Sequence, residues 1–216
     1  MIRDVATPSG PARLWVDDAT APTCRLVLGH GAGGGPQARD LAALARALPD
    51  AGVTVVRVEQ PWRVAGKRIA PRPPKLDEAW LAALAQVPRD LPLVVGGRSA
   101  GARVACRTAR ALGAVGVVAL AFPLHLPGKP ERSRIDELTG SGVPTLIVQG
   151  ERDTFGRPGE FPSDTPHLVS VPLADHSMAV SKTADPAEPL SVVVTAVTQW
   201  LHRLVPPGES NRTERR

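Results

Sequence analysis

The chain has 216 residues, 43% apolar and 22% charged, the balance of an ordinary globular protein long enough to bury a sizeable core. A net charge of +5 accompanies only 3% aromatic residues, and the arginines are scattered along helix faces, which argues against nucleic-acid binding by basic stripes and stacking aromatics. Cys24 and Cys106 are the only cysteines, too few for a disulfide framework and without the Cys/His spacing of a structural zinc site.

Ile2 to Val5 and Arg13 to Val16 flank the turn signal Pro8-Ser9-Gly10-Pro11 and predict an N-terminal hairpin. The short apolar strand Arg25 to Gly29 runs straight into His30-Gly31-Ala32-Gly33-Gly34-Gly35-Pro36. Leu41, Leu44, Ala45 and Leu48 then recur at helical spacing, and Val53 to Val58 is the next strand. Pro61 to Pro74 reads as a long, basic, proline-rich loop ahead of a helix marked by Leu76, Trp80, Ala83, Leu84 and Val87. The strand from Leu93 ends in Gly97-Arg98-Ser99-Ala100-Gly101, and a helix with a narrow face of Ala102, Ala105, Ala109 and Leu112 follows at once. Val115 to Ala121 is strand-like, Phe122 to Gly142 a polar stretch, and Pro144 to Gln149 and Leu168 to Val171 are two further strands. A helical stripe from Leu190 to Leu204 closes the pattern. Strands alternating with helices predict an α/β fold, a mostly parallel sheet of about seven or eight strands covered on both faces. Residues 1–206 read as a single domain, followed by a basic tail at 207–216.

The strand–turn–helix around Ser99 carries the chemistry. Gly-x-Ser-x-Gly at such a place is a sharp turn that exposes the hydroxyl at the strand tip. A serine needs a base, usually a histidine oriented by a carboxylate, and in this kind of fold the order is Ser, acid, His, each just past a strand end. Asp153 and His176 fall in those places. Glu151 and Asp175 are neighbouring carboxylates that compete for the acid's role, and helix N-capping is the plain structural use of a serine such as Ser99. The oxyanion of acyl transfer calls for backbone N–H donors. Ala100 supplies one, and the glycine loop the other, at Ala32 or at its neighbours Gly31 and Gly33. The same loop fits a dinucleotide fingerprint, Gly29-x-Gly31-x-x-Gly34 with Glu59 beyond the next strand, but Gly35-Pro36 delays the helix which that motif needs. The loops at Pro61 to Lys75 and Pro123 to Pro130 are expected to wall the mouth of the site.

His30-Gly31-Ala32-Gly33-Gly34, Gly96 to Arg103, Phe122-Pro123-Leu124-His125, Gln149 to Asp153 and Asp175-His176-Ser177 together resemble the α/β-hydrolase superfamily. Within it they are similar to small lidless dienelactone-hydrolase-like and KANL/TEX-type hydrolase-like proteins. The resemblance implies Ser99, Asp153 and His176 as nucleophile, acid and base. Gly31, Gly33, Arg98 and His125 are expected on the substrate side. Dienelactone hydrolases use a cysteine nucleophile, so a serine here favours ordinary ester chemistry. The expected function is a serine hydrolase cleaving a small carboxylic ester or thioester, with no cofactor, metal, nucleic-acid or membrane partner and no large cap. The oligomeric state is not legible. A hydrolase-fold binding or scaffold protein is the alternative, with a dinucleotide-binding protein behind it. The N-terminus Met1-Ile2-Arg3-Asp4 has no signal-peptide run, and no stretch nears ~18 apolar residues, so a cytoplasmic location is expected.

Overall fold

The computed structural model describes residues 1–206, and the basic tail expected at 207–216 lies outside the described residues. Gly10, at φ 103°, lets the turn close an antiparallel hairpin of β1 (Ile2–Val5) and β2 (Ala12–Asp17). β3 (Cys24–Gly29) is buried along its whole length, as a continuous apolar strand covered on both faces should be. α1 (Arg39–Ala47) turns its Leu41 and Leu44 inward, and β4 (Val53–Glu59) follows.

The stretch from Pro61 to Pro74, expected as a loop, contains α2 (Pro61–Val64) and the start of α3 (Pro73–Leu84). Both helices begin on proline, which suits a first turn whose N–H groups have no intrahelical acceptor in any case. β5 (Leu93–Arg98), α4 (Ala100–Thr108) and β6 (Gly116–Leu120) come next. The polar stretch after β6 holds one unexpected turn and a half of helix, α5 (Ile135–Thr139). Its Glu137 accepts hydrogen bonds from Arg103 and Arg107 of α4, so tertiary charge pairing holds a segment too short to be helical on its own. β7 (Thr145–Gly150), β8 (Leu168–Val171) and α6 (Glu188–Leu204) complete the order.

The sheet has eight strands in the order β1-β2-β4-β3-β5-β6-β7-β8. It is antiparallel from β1 to β4 and parallel from β4 onward. One apolar layer packs α3 and α4 on one face, and the other packs α1 and α6 on the opposite face. α6 forms despite Val192, Val193 and Val194, since each β-branched residue costs a helix about 0.5 kcal/mol. Val193, Val197, Trp200 and Leu201 are buried, each gaining about 2 kcal/mol, so burial decides. Because β4 and β5 lie on opposite sides of β3, the chain reverses direction across the sheet at β3, and a crevice opens outside the carboxyl ends of β3 and β5. Among the described residues no cap domain covers that edge.

Candidate active site

Ser99 stands where β5 meets α4, at φ 53° and ψ −116°, a conformation that L-residues rarely adopt. Gly97 and Gly101 make that turn possible. A Cβ at Gly97 would lie 2.9 Å from both the Gly29 nitrogen and the Gly101 carbonyl carbon, and one at Gly101 would run into the carbonyl of Gly29. The serine does not cap the helix, as its side chain makes no capping hydrogen bond. Its hydroxyl donates instead to His176 Nε2, at 2.9 Å.

His176 sits in the turn after β8, and its Nδ1 lies 2.8 Å from Asp153 Oδ2. A carboxylate only accepts, so the imidazole proton is on Nδ1 and Nε2 is free to accept from Ser99. Asp153 follows β7 and is fully buried. Three groups satisfy its carboxylate: Oδ2 accepts from His176 and from Gln149 Nε2 (2.9 Å), and Oδ1 accepts from the Phe155 backbone N–H (2.8 Å). Gln149 Nε2 also reaches the carbonyls of Phe122 and Gly156, which fixes the orientation of its amide. Phe155 lays its ring on the His176 imidazole, with centroids 4.2 Å apart.

The two competing carboxylates have structural work. Asp175 Oδ1 accepts from the Ser177 and Ala179 backbone N–H groups and the Ser177 hydroxyl, closing the histidine turn. Burial works against its ionised form, but these hydrogen bonds win and hold its carboxyl below the usual range. Glu151 Oε2 accepts from the Leu173 N–H. The other histidines are engaged elsewhere: His167 packs edge-on against Trp200, and His202 bonds the Ala51 carbonyl.

The glycine loop is clamped by His30, whose Nδ1–H donates to the Gly31 carbonyl while Nε2 accepts from the Gln60 N–H. Burial pushes the pKa of this histidine down, and it serves as a neutral bridge between the ends of β3 and β4. Gly31 lies against the serine, since a Cβ there would be 3.3 Å from Ser99 Cβ, whereas Gly33 faces open space. Ala32 is exposed at the bend, and Ala100 is the first residue of α4, so its N–H has no intrahelical acceptor.

Arg98 and His125, expected on the substrate side, have their side chains committed. Arg98 Nε donates to the buried Asp40 of α1 (3.0 Å), and its Nη2 donates to the His176 carbonyl. It is a strut between helix α1 and the histidine turn. His125 Nδ1 donates to the Leu126 carbonyl, and Nε2 pairs with Glu160 (2.8 Å). Those hydrogen bonds, the Leu126 carbonyl first, raise its pKa, while the Arg157 N–H and then His125 lower that of Glu160. Cys106 is buried in the core, where desolvation pushes its thiol up to about 12. Glu59, which a ribose would need, is within reach of the Trp15 indole N–H, at 3.2 Å. No group of side chains that could hold a metal ion occurs among the described residues. No described helix is long and apolar enough to cross a membrane.

Fold, strand-tip serine and sequence comparison agree on the class. A model of the alpha/beta hydrolase domain matches residues 22–202, and the chain belongs to that family. Solved structures share the fold across nearly the whole chain. An α/β serine hydrolase without lid from Xanthomonas campestris is 22% identical, with a TM-score of 0.71 over 96% of this chain and 95% of that one. Est1E from Butyrivibrio proteoclasticus, with ferulic acid bound, is 14% identical, with a TM-score of 0.73 over 95% of this chain and 100% of its own. A dienelactone hydrolase from Anabaena variabilis is 18% identical, with a TM-score of 0.66 over 94% and 96% of the two chains. A search of curated proteins found no match.

Proposed function

We propose that this protein is a serine hydrolase that cleaves a small carboxylic ester or thioester through an acyl-enzyme. The observation that carries the reading is the unbroken chain from Asp153 to His176 to Ser99, with links of 2.8 Å and 2.9 Å. Ser99 Oγ attacks the carbonyl carbon as His176 Nε2 takes its proton, and buried Asp153 stabilises the imidazolium. The N–H groups of Ala32 and Ala100 hold the oxyanion; in such sites one donor is worth about 3 kcal/mol. Collapse breaks the bond to the alcohol or thiol, which leaves with the proton from His176. Water then adds to the acyl carbon, giving its proton to His176, and the acid departs as Ser99 regains its hydrogen.

A fluorophosphonate probe tests this directly. The wild-type chain is expected to label, and Ser99→Ala and His176→Ala are expected not to, with folding checked by circular dichroism. Wild-type protein that is folded and unlabelled would sink the enzyme reading in favour of a binding or scaffold role.

Arg98 acts here as a positioning residue, not as a substrate ligand. Arg98→Met frees the His176 carbonyl and leaves the buried Asp40 without its cation, with only the Leu41 N–H on its carboxylate. A small displacement of the imidazole is enough to lower kcat by about tenfold to a hundredfold, with KM little changed. Steady-state kinetics on a 4-nitrophenyl ester reads this, and Arg98→Lys should recover only part of the loss, because a lysine lacks the guanidinium fork that reaches both partners. An unchanged kcat in Arg98→Met would refute the strut.

A further inference from the structure

Behind the glycine loop, and sharing Ala32 and Ala100 with the proposed oxyanion site, lies a narrow cavity walled by Gln60, Trp62 and Trp80. It has room for about one group the size of a water molecule. All three wall residues are more than nine-tenths buried. Each carries a buried polar atom with no hydrogen-bond partner: Gln60 Oε1, Trp62 Nε1 and Trp80 Nε1. Buried polar groups are normally satisfied, so three orphans carried by residues that line one cavity, next to Ala100, ask for an occupant.

Their chemistry specifies it. Each indole N–H only donates, and the amide oxygen only accepts. The matching group takes two hydrogen bonds and gives one, which is the capacity of a hydroxyl. A methyl would leave all three atoms unpaired. A ketone oxygen would satisfy the indoles and leave Gln60 Oε1 facing another acceptor. A carboxylate would do the same and would also bring a charge to walls that hold no cation, since His30 is neutral with both ring nitrogens engaged. The orientation of Gln60 is set independently, because its Nε2 donates to the Leu76 carbonyl and so leaves the oxygen as the free end.

We propose that this cavity selects a short acyl group bearing a hydroxyl one or two carbons from the carbonyl. The assignment rests on the serine hydrolase reading above. With the carbonyl carbon on Ser99 and its oxygen at Ala32 and Ala100, the hydroxyl of the acyl substituent alone fills the cavity, where it meets Trp62, Trp80 and Gln60, while the acyl carbons stay at its mouth.

The test compares pairs of 4-nitrophenyl esters that exchange a hydroxyl for a methyl: glycolate against propionate, and 3-hydroxypropionate against butyrate. Each kcat/KM is divided by the hydroxide-catalysed rate of the same ester, so that intrinsic reactivity cancels. In at least one pair the hydroxylated ester should be preferred by about tenfold or more, as expected when its absence strands buried partners. Trp62→Phe and Trp80→Phe keep an aromatic side chain but lose the pyrrole half of the indole with its N–H, and each should reduce that ratio to about twofold. A ratio is insensitive to a general loss of activity, and the wild-type ratio stands alone should a variant fold poorly. A wild-type enzyme that labels at Ser99 but does not turn over the hydroxylated esters faster overturns the assignment, leaving the cavity to a structural water. Absence of Ser99-dependent labelling is a different result, and it removes the hydrolase reading itself.

Discussion

Asp153→Asn is expected to lower kcat on a 4-nitrophenyl ester by about 10⁴-fold, the scale set when a triad carboxylate becomes an amide. The surroundings of Asp153 explain why an asparagine finds no good orientation. With its NH₂ at the Oδ2 position, it faces the NH₂ of Gln149, which the Phe122 and Gly156 carbonyls still hold in place, and it donates to His176 Nδ1. That moves the imidazole proton to Nε2, and the ring can no longer accept from Ser99. With the NH₂ at the Oδ1 position, it faces the backbone N–H of Phe155 instead. Either orientation sets two donors against each other in a buried site, at a cost of about 1–3 kcal/mol. A chain of this size then melts only a few degrees lower, so the variant stays folded while its activity collapses. Kinetics and a thermal melt measured on the same sample check both parts. A loss smaller than tenfold, with the melt nearly unchanged, would mean that Asp153 does not set the tautomer.

The pieces of this arrangement differed in how readable they were. The strand before Ser99, the helix after it and the hairpin at Gly10 follow from hydrophobic period and turn chemistry, which act locally. Asp153 and His176 could be placed because each lies a few residues past an apolar run that ends as a buried strand. Their supports were not visible. Asp40 looks like an ordinary acidic residue in the first turn of a helix, and only the fold brings Arg98 onto it. Gln149 did leave a signal, as a lone amide ending the run Leu146-Ile147-Val148 is a buried polar group that must find partners. Phe155 and the cavity atoms of Trp62 and Trp80 left none. Trp80 fits the buried stripe of α3, and nothing in that periodicity says whether its indole N–H is satisfied. α5 and the proline-led starts of α2 and α3 were missed for a related reason: tertiary contacts decide segments that short.

Gly101→Ala is expected to cost the fold about 4 kcal/mol or more, the range reserved for changes that the structure cannot absorb. In α4 an alanine is ordinarily the better helix former by about 1 kcal/mol, so the sign of the effect comes entirely from what faces the site. A Cβ there collides with the carbonyl of Gly29, and the obstacle is the backbone of a central strand paired on both sides. Neither a rotamer change nor a flexible neighbour relieves the clash; α4 has to lift away from β3. That motion carries Ala100 and Ser99 with it, since both belong to the same turn, and it opens the cavity between Trp80 and the glycine loop. The melting temperature should fall by about 10 °C or more, and Ser99 labelling should be lost even in the fraction that remains folded. Gly159→Ala is the control, because nothing lies within 4 Å of a Cβ at that position and its melt should be unchanged or slightly raised. If Gly101→Ala melts within about 2 °C of the parent, the close approach of α4 to β3 is not what holds Ser99 in place.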